Sequence, residues 1–172
     1  MIITYINWND MKKYIFMAII AIVTMFNVHA EKGNVSAGAQ FVYASKHSMA
    51  GLGVQLQCEP LTNWRLAPEF IYFFKNNGRT ALNANVNVHY VIPTSNSFAL
   101  YPLVGFSYGH YTEDVKAGII SGSVSDDRCG ANVGLGAQYL IKEHLHFFTE
   151  QRFQIMKDFN QSVTVLGLKY TF

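Results

Sequence analysis

The sequence contains little charge. Asp, Glu, Lys and Arg make up only 14% of its 172 residues, whereas 50% of the residues are hydrophobic. A soluble domain usually carries about 25% charged residues. The formal net charge is +2, and the thirteen basic residues are scattered along the chain. Because a nucleic-acid-binding protein clusters its basic residues on one surface, this distribution argues against nucleic acid as a partner.

Long hydrophobic runs are also missing, except near the N-terminus. There, Lys12 and Lys13 precede an apolar segment that ends in the small-residue pattern Val28-His29-Ala30, which is typical of a cleaved signal peptide. The alternative is an uncleaved anchor, but the segment is short for about 30 Å of hydrocarbon. We therefore expect an upstream extension at residues 1–10, a signal peptide at residues 11–30 and a mature domain at residues 31–172.

No apolar run after residue 30 is long enough for a spanning helix, so a membrane location would require strands in a closed barrel. Period-two alternation bounded by turn residues predicts eight strands. They are Asn34–Ser45, Met49–Cys58, Asn63–Phe74, Arg79–Ile92, Ser97–His110, Cys129–Ile141, Leu145–Met156 and Gln161–Phe172. Most exceed the roughly 9 to 11 residues that a tilted strand needs to cross a bilayer. The predicted fold class is all-β, an eight-stranded antiparallel up-and-down transmembrane β-barrel.

The fourth predicted strand shows which residues share a face. Its apolar face includes Val86, Val88 and Tyr90, and its polar face consists of Asn83, Asn85, Asn87 and His89. Periodicity alone does not say which face points to lipid. The last strand decides this, because an apolar face that ends at a terminal aromatic residue resembles the export signature of bacterial outer-membrane barrels. The predicted export-signal residues are Leu166, Leu168, Tyr170 and Phe172.

Charged residues within strands set the inward face. A basic residue on the lipid face near the midplane costs roughly 2 to 4 kcal/mol, so Arg65 and Arg152 are expected to point inward. The third and seventh strands of an eight-stranded ring lie opposite each other, which predicts an ion-pair network of Arg65, Glu69, Glu150 and Arg152. The complete predicted interior polar network adds Asn83, Asn85, Asn87, His89 and Gln138. Its role is either a gate or simple interior packing, since interior charges need partners in both cases.

Two cysteines and two prolines fall within the predicted strands. Cys58 and Cys129 would lie at opposite ends of the barrel, too far apart for a disulfide, so we expect two free thiols. Pro68 and Pro102 lack a backbone donor and argue against uninterrupted pairing, so we expect a bulge at each. The predicted register also leaves two polar residues, Thr149 and Gln151, on the lipid face.

The connections between strands are short except for Tyr111 to Arg128. Within this connection, residues Ala117 to Ser125 form either a hairpin that extends the flanking strands, with Ser121 and Gly122 near its tip, or a solvated loop. Alternation of short and long connections is typical of outer-membrane barrels, whose long loops face the cell exterior.

Four segments carry a resemblance to a known family. They are NVNVHYVIP at Asn85–Pro93, ALYPLVGFSYGHY at Ala99–Tyr111, ANVGLGAQYLI at Ala131–Ile141 and LGLKYTF at Leu166–Phe172. In these segments the chain resembles the small OmpX/OmpA-type, porin-family barrels of the Gram-negative outer membrane. The resemblance implies an outer-membrane location, outer-membrane lipid and the barrel-assembly machinery as partners, and no cofactor. None of the four segments is a catalytic motif, so the resemblance transfers fold and location better than activity. The function that we expect is a structural or cell-surface interaction role without enzymatic activity, in which the loop Tyr111 to Arg128 would meet an extracellular partner.

Two other functions stay open from the sequence. One is a narrow, low-conductance pore for ions or very small solutes, although an eight-stranded barrel is only wide enough for side chains. The other is a soluble periplasmic barrel that binds an apolar ligand and turns its apolar face inward.

Enzymatic and metal-binding signals are weak. The nearest catalytic candidates are His146, Thr149 and Glu150, but the imidazole and the hydroxyl are expected on opposite faces of their strand, out of hydrogen-bond reach. Acidic residues and one histidine bracket the long connection without the close spacing of a metal site. They are His110, Glu113, Asp114, Asp126 and Asp127.

Overall fold

A computed structural model describes residues 35–117, 120–156 and 159–172, without the side chains of residues 115–117, 120, 121 and 123. The strands are β1 (Val35–Ala44), β2 (Met49–Leu61), β3 (Trp64–Asn76), β4 (Arg79–Tyr90), β5 (Ile92–Pro93), β6 (Phe98–Ala117), β7 (Ile120–Lys142), β8 (Leu145–Met156) and β9 (Gln161–Thr171). In these ranges no helix has the length and apolar character needed to cross a membrane. The predicted signal peptide and upstream extension lie outside the described residues.

The strands form one closed antiparallel sheet. Except for β4 and β5, strands that follow one another in the chain are paired; β1 also pairs with β9, and pairing of β4 with β6 completes the ring. The short β5 continues β4 against β6 in an unchanged register, so the wall consists of eight strands. The predicted fold, an eight-stranded antiparallel all-β barrel, is confirmed.

The two ends of the barrel differ. At one end, called here the turn end, lie the start of β1, the end of β9 and the turns around Asn63, Ser95 and Glu143. At the other end, called the hairpin end, β6 and β7 run on as a hairpin whose last described pair is Ala117 with Ile120. Of the two alternatives for residues Ala117 to Ser125, the structure therefore shows the hairpin, but Ser121 and Gly122 lie within β7 and not at its tip. The reason is that β6 and β7 keep one register along their whole described length, in which Ser121 pairs with Lys116 and Gly122 with Val115.

Next to each proline within a strand, the pairing with one of the two neighbouring strands is interrupted. Pro68 pairs with Val86 of β4, but the ladder from β3 to β2 has no pair between Glu69 and Leu66. Pro102 pairs with Leu135 of β7, but on its other side β6 has no pair between Leu103 and Leu100. The expected bulge is not found at either proline, because the register is the same on both sides of each, and the missing proline donor is accommodated by a local gap in the ladder. The shift of register between β2 and β3 lies between Cys58 and Leu61, away from Pro68.

The outer face of the wall is apolar. Val86 and Tyr90 are each 40% exposed, whereas Asn87 is fully buried. Aromatic side chains are exposed near both ends, including Trp64 and Tyr90 in an edge-on contact at the turn end and Tyr72 at the hairpin end. Such a band with aromatic margins is typical of a lipid-facing wall. The alternative of a soluble barrel with its apolar face inward is therefore wrong.

The two polar residues expected on the lipid face do point outward, and both find partners on β9. The Thr149 hydroxyl donates to the Val165 carbonyl at 3.0 Å, and the Thr164 hydroxyl donates to the Gln151 side-chain oxygen at 2.8 Å. Since each polar group is hydrogen-bonded within the wall, its cost in an apolar environment is reduced.

Candidate functional site

The barrel interior is layered. Around its middle lies a polar layer, called here the polar waist, centred on Arg152, Glu69 and Glu150. Beside it, mostly nearer the hairpin end, lies an apolar cluster, called here the apolar plug. The plug consists of Val42, Ala44, Met49, Ile71, Phe73, Ala81, Phe148, Val163 and Val165. The sequence predicted a polar interior. This is correct only in part, because several inward positions carry large apolar side chains.

Arg152 is the centre of the polar waist and is only 2% exposed. Its Nε donates to Glu150 Oε2 at 2.7 Å, and its Nη2 donates to Glu69 Oε2 at 2.8 Å. Further short bonds join Nη1 to Glu69 and Nη2 to Glu150. One guanidinium thus bridges two carboxylates from opposite walls, β3 and β8, in the two-pronged geometry that arginine favours.

Glu69 is also bonded by side-chain amides from three other strands. Gln40 Nε2 donates at 2.8 Å, Asn85 Nδ2 at 2.7 Å and Gln55 Nε2 at 3.3 Å. Asn87 Nδ2 adds a longer bond at 3.4 Å. These amides meet because each occupies an inward position of its strand, and the ring brings β1, β2 and β4 around β3.

Glu150 has a partner that the sequence analysis missed. The Tyr101 hydroxyl donates to Glu150 Oε1 at 2.9 Å, and the Tyr101 ring stacks on His89 with centroids 4.7 Å apart. Gly136 leaves room for this ring, since a Cβ at that position would collide with it. An inward glycine in β7 was the available signal that a large side chain crosses the interior at this level.

Arg65 does not join the carboxylates of the polar waist. It is buried, but its guanidinium forms an ion pair with Glu59 at 2.8 Å and donates to Gln138 Oε1 at 2.9 Å. The predicted pairing of Arg65 with Glu69 or Glu150 is therefore wrong. Arg65 lies opposite His89 and Glu69 lies opposite Asn85, so Arg65 sits nearer the turn end and meets a carboxylate there.

The remaining predicted polar residues are placed inside the barrel. Asn83, Asn85, Asn87 and His89 are all buried, and Gln138 is half-buried. Asn87 Oδ1 accepts a bond from Asn132 at 3.0 Å. Both ring nitrogens of His89 are buried without a hydrogen-bond partner. Lys169, which the sequence analysis did not single out, is also inside and is 3% exposed.

A cavity of about 700 Å³ opens at the hairpin end and is called here the vestibule. The Phe159 ring forms an aromatic surface in it, with Lys46 Nζ 4.6 Å and Arg128 Cζ 4.7 Å from the ring centroid. Arg79 Nη1 donates to His47 Nδ1 at 2.7 Å. Partial burial, followed by the charges of Arg79 and Lys46, lowers the pKa of His47 below its usual 6.5.

A second cavity of about 250 Å³ opens at the turn end. It shares no lining residue with the vestibule, and the apolar plug and polar waist lie between the two ends. The two cavities are therefore separate recesses and not the mouths of one channel.

The acidic residues around the hairpin each have a basic partner. Glu113 pairs with Arg79 at 2.7 Å, Asp126 with Arg128 at 2.7 Å and Asp127 with His110 at 2.6 Å. Asp114 pairs with Lys75. Across the ranges that the structure describes, no three His, Cys, Asp or Glu side chains are grouped to hold a metal ion.

The catalytic candidates lie apart. Thr149 is on the outer face and donates to the Val165 carbonyl, whereas Glu150 is buried inside at the polar waist. Both thiols, Cys58 and Cys129, are free, as expected.

Comparison with known proteins gives one family and a set of related folds. The family model for the outer membrane protein beta-barrel domain matches residues 21–172. The N-terminal β-barrel domain of Pseudomonas aeruginosa OprF is similar, with a TM-score of 0.62, 15% identity and coverage of 82% of this chain and 98% of that one. Ail, the attachment invasion locus protein of Yersinia pestis, has a TM-score of 0.60, 16% identity and coverage of 83% and 100%.

Neisserial surface protein A shows the same fold, with a TM-score of 0.59, 13% identity and coverage of 80% of this chain and 96% of that one. A search of curated proteins finds no match. At these identities the solved structures establish the fold, while the family match establishes the outer membrane as the location.

Proposed function

The chain belongs to the outer membrane protein β-barrel domain family, and we propose that it acts at the cell surface as a non-enzymatic binding protein. Its contact surface is the β6–β7 hairpin, which binds an extended polypeptide segment of a partner. In outer-membrane barrels the short turns face the periplasm and the longer loops face outward, so the hairpin end is the external end.

The observation that carries this proposal is the free edge of the hairpin. Pairing of β4 with β6 stops at Glu113, and pairing of β8 with β7 begins only at Gly130. Between these points β6 and β7 pair only with each other. Among the described residues, 120–127 of β7 therefore present one edge of backbone donors and acceptors to which an extended segment can add as a further strand. Val124, 61% exposed, supplies an apolar contact on this strand.

The base of the hairpin is held in place by ion pairs to the wall. Glu113 of β6 pairs with Arg79 of β4, and Asp114 pairs with Lys75 of β3. The Thr112 and Ser125 hydroxyls bond each other at 3.2 Å across the hairpin. A pre-ordered edge loses less conformational entropy on binding than a flexible loop would.

The experiment uses the mature barrel in lipid nanodiscs and a clipped variant. In the clipped variant residues 114–123 are replaced by Asn-Gly, which ends the hairpin at its last wall-paired residue, Glu113, and leaves the ring intact. Binding to immobilised serum proteins is measured by biolayer interferometry. We expect saturable binding by the intact protein and its loss in the clipped variant, with unchanged heat-modifiable gel migration as the control for folding.

Equal binding by both forms would contradict the hairpin as the contact surface. Heparin serves as a second probe, because the structural neighbour Ail has been crystallised with the heparin analogue sucrose octasulfate. Binding of heparin alone, with loss in Arg128→Gln and no effect of clipping, would place the contact at the basic vestibule and refute strand addition.

The pore is the second candidate, and the interior argues against it. An ion moving along the axis would meet both the bridged Arg152 and the apolar plug. We expect no steady single-channel conductance from refolded protein. A reproducible conductance that changes in Arg152→Ala would favour the pore instead.

A further inference from the structure

The turn-end cavity is lined mainly by polar groups and lies at the end of the barrel opposite the hairpin. Glu59, Arg65, Gln138 and His146 line it, together with the turn residues 95–97. Its volume is about 250 Å³, and a water molecule occupies about 30 Å³ of liquid. A small ion with several waters therefore fits inside.

Two cations converge on one neutral oxygen at this cavity. Arg65 Nη1 donates to Gln138 Oε1 at 2.9 Å, and Lys169 Nζ donates to the same oxygen at 2.8 Å. Both side chains are 3% exposed, and Lys169 does not itself line the cavity but lies behind the lining residue Gln138. An amide oxygen carries no charge to balance either of them, and a buried charge without a counter-charge is costly.

The charges near the cavity do not balance. Glu59 accepts both the Nε and Nη2 bonds of Arg65, at 3.0 and 2.8 Å, and so balances that guanidinium. Lys169 bonds only two amide oxygens, those of Gln138 and Gln57, and within the described part of the chain it has no ion pair with a carboxylate. A protonated Lys169 therefore has no counter-charge there.

A third donor lies beside this charge. His146, which lines the cavity, is paired across the strands with Lys169, and its Nδ1 is buried without a hydrogen-bond partner. A protonated Nδ1 can donate in the same region as the ammonium and the guanidinium. A protonated Lys169 behind Gln138 and the spare donor of His146 together complement a small anion.

We propose that the turn-end cavity is a binding site for a small oxyanion, for which inorganic phosphate is the simplest case. Arg65 and Lys169 supply charge-assisted hydrogen bonds, and His146 supplies a neutral or charged donor. The site opens toward the periplasm and is independent of the surface-binding role of the hairpin.

The decisive variant is Gln138→Glu, which places a carboxylate where the two cations already converge. Thermal unfolding of the mature protein in detergent micelles is followed by heat-modifiable migration while sodium phosphate is titrated at constant ionic strength with sodium chloride. We expect a saturable rise of the midpoint in the wild type. In Gln138→Glu the midpoint without phosphate is already higher, and the apparent phosphate affinity is weaker by about tenfold or more.

Two further variants complete the design. Gln151→Glu makes the same chemical change on the outer wall and is expected to keep the phosphate response. Lys169→Met should no longer show the rise of the midpoint with phosphate. If this variant does not fold, Gln138→Glu alone tests the proposal. Equal responses in the wild type and Gln138→Glu would reveal a general salt effect and overturn the proposal. The proposal would also be overturned if phosphate did not raise the midpoint of the wild type and Gln138→Glu were no more stable than the wild type, because Lys169 would then be neutral.

Discussion

The polar waist and the apolar plug fill neighbouring levels of one narrow barrel by opposite means. The waist is filled by ions and amides whose partners come from facing strands, and the plug by aliphatic and aromatic side chains. The waist depends on one guanidinium that two carboxylates share, whereas the plug distributes its contacts over many side chains. We therefore expect that removal of one key side chain from the waist lowers the free energy of unfolding strongly, whereas truncation of a side chain in the plug lowers it in proportion to the size of the group removed.

The largest expected effect tests the waist. Arg152→Ala leaves Glu69 and Glu150 buried without a counter-charge and should lower the free energy of unfolding by about 3 to 5 kcal/mol. Urea unfolding in micelles, followed by the fluorescence of Trp64, measures this change. The neutral triple variant Arg152→Met, Glu69→Gln, Glu150→Gln is the control and should recover most of the loss. A single variant as stable as the wild type would show that the waist does not depend on Arg152.

The plug is tested by Phe148→Ala, with an expected loss of about 3 kcal/mol. Phe148 is fully buried in the plug, and its removal leaves a cavity that the neighbours fill only in part. The conservative variant Phe148→Leu should lose less, as expected of distributed packing. The same urea titration measures both. A Phe148→Leu variant as unstable as Phe148→Ala would mean that the plug is as dependent on one group as the waist.

Two glycines allow the layers to be compared with the same chemical change. A Cβ on Gly136 would collide with the Tyr101 ring of the waist, and one on Gly167 with the Phe148 ring of the plug. Each Gly→Ala variant should cost about 1 to 3 kcal/mol through overpacking. Adding Phe148→Leu should relieve Gly167→Ala but leave Gly136→Ala unchanged, which thermal midpoints can show. If Phe148→Leu restored the stability of both Gly→Ala variants, the side chains of the waist and of the plug would be packed as a single unit.

The smallest effect concerns the vestibule, outside both layers. Because the pKa of His47 is lowered below 6.5, the folded protein binds this proton less readily than the unfolded chain does. The contribution of neutral His47 to the free energy of unfolding is therefore present above pH 6.5 and is lost as the pH falls below this value. Since His47 is largely solvated, we expect a loss below about 1 kcal/mol between pH 7 and 5. His47→Phe should abolish this pH dependence, and its persistence there would assign the titration to another group.

The alternation of residues predicted most of the wall. β8 has the predicted bounds, because Glu150 and Arg152 alternate with Phe147 and Phe153 and so mark both faces clearly. The ends of β6 and β7 were not predicted, because the mixed polar sequence between Tyr111 and Arg128 has no clear period. Those residues belong to the part of the hairpin that extends beyond the closed barrel, where neither face of the two strands has to be apolar.

The interior was predicted in part. Arg152 and its carboxylates followed from the cost of placing charge in lipid. The plug did not, because Val42 and Phe73 are inward but stand between outward residues that are also apolar, such as Tyr43 and Tyr72. A continuous apolar run hides which face it belongs to. The partner of Arg65 depends on its height along the axis, which alternation does not give.

The two thiols have a consequence for the path of folding. Cys58 lies near the turn end, opposite Val35, and Cys129 lies opposite Tyr108 near the hairpin end. The chain must cross an oxidising compartment before it reaches its membrane. A bond formed between the two sulfurs during that passage would tie together points that the finished ring holds apart, and such a molecule could not close until it was reduced. Insertion therefore has to outpace oxidation.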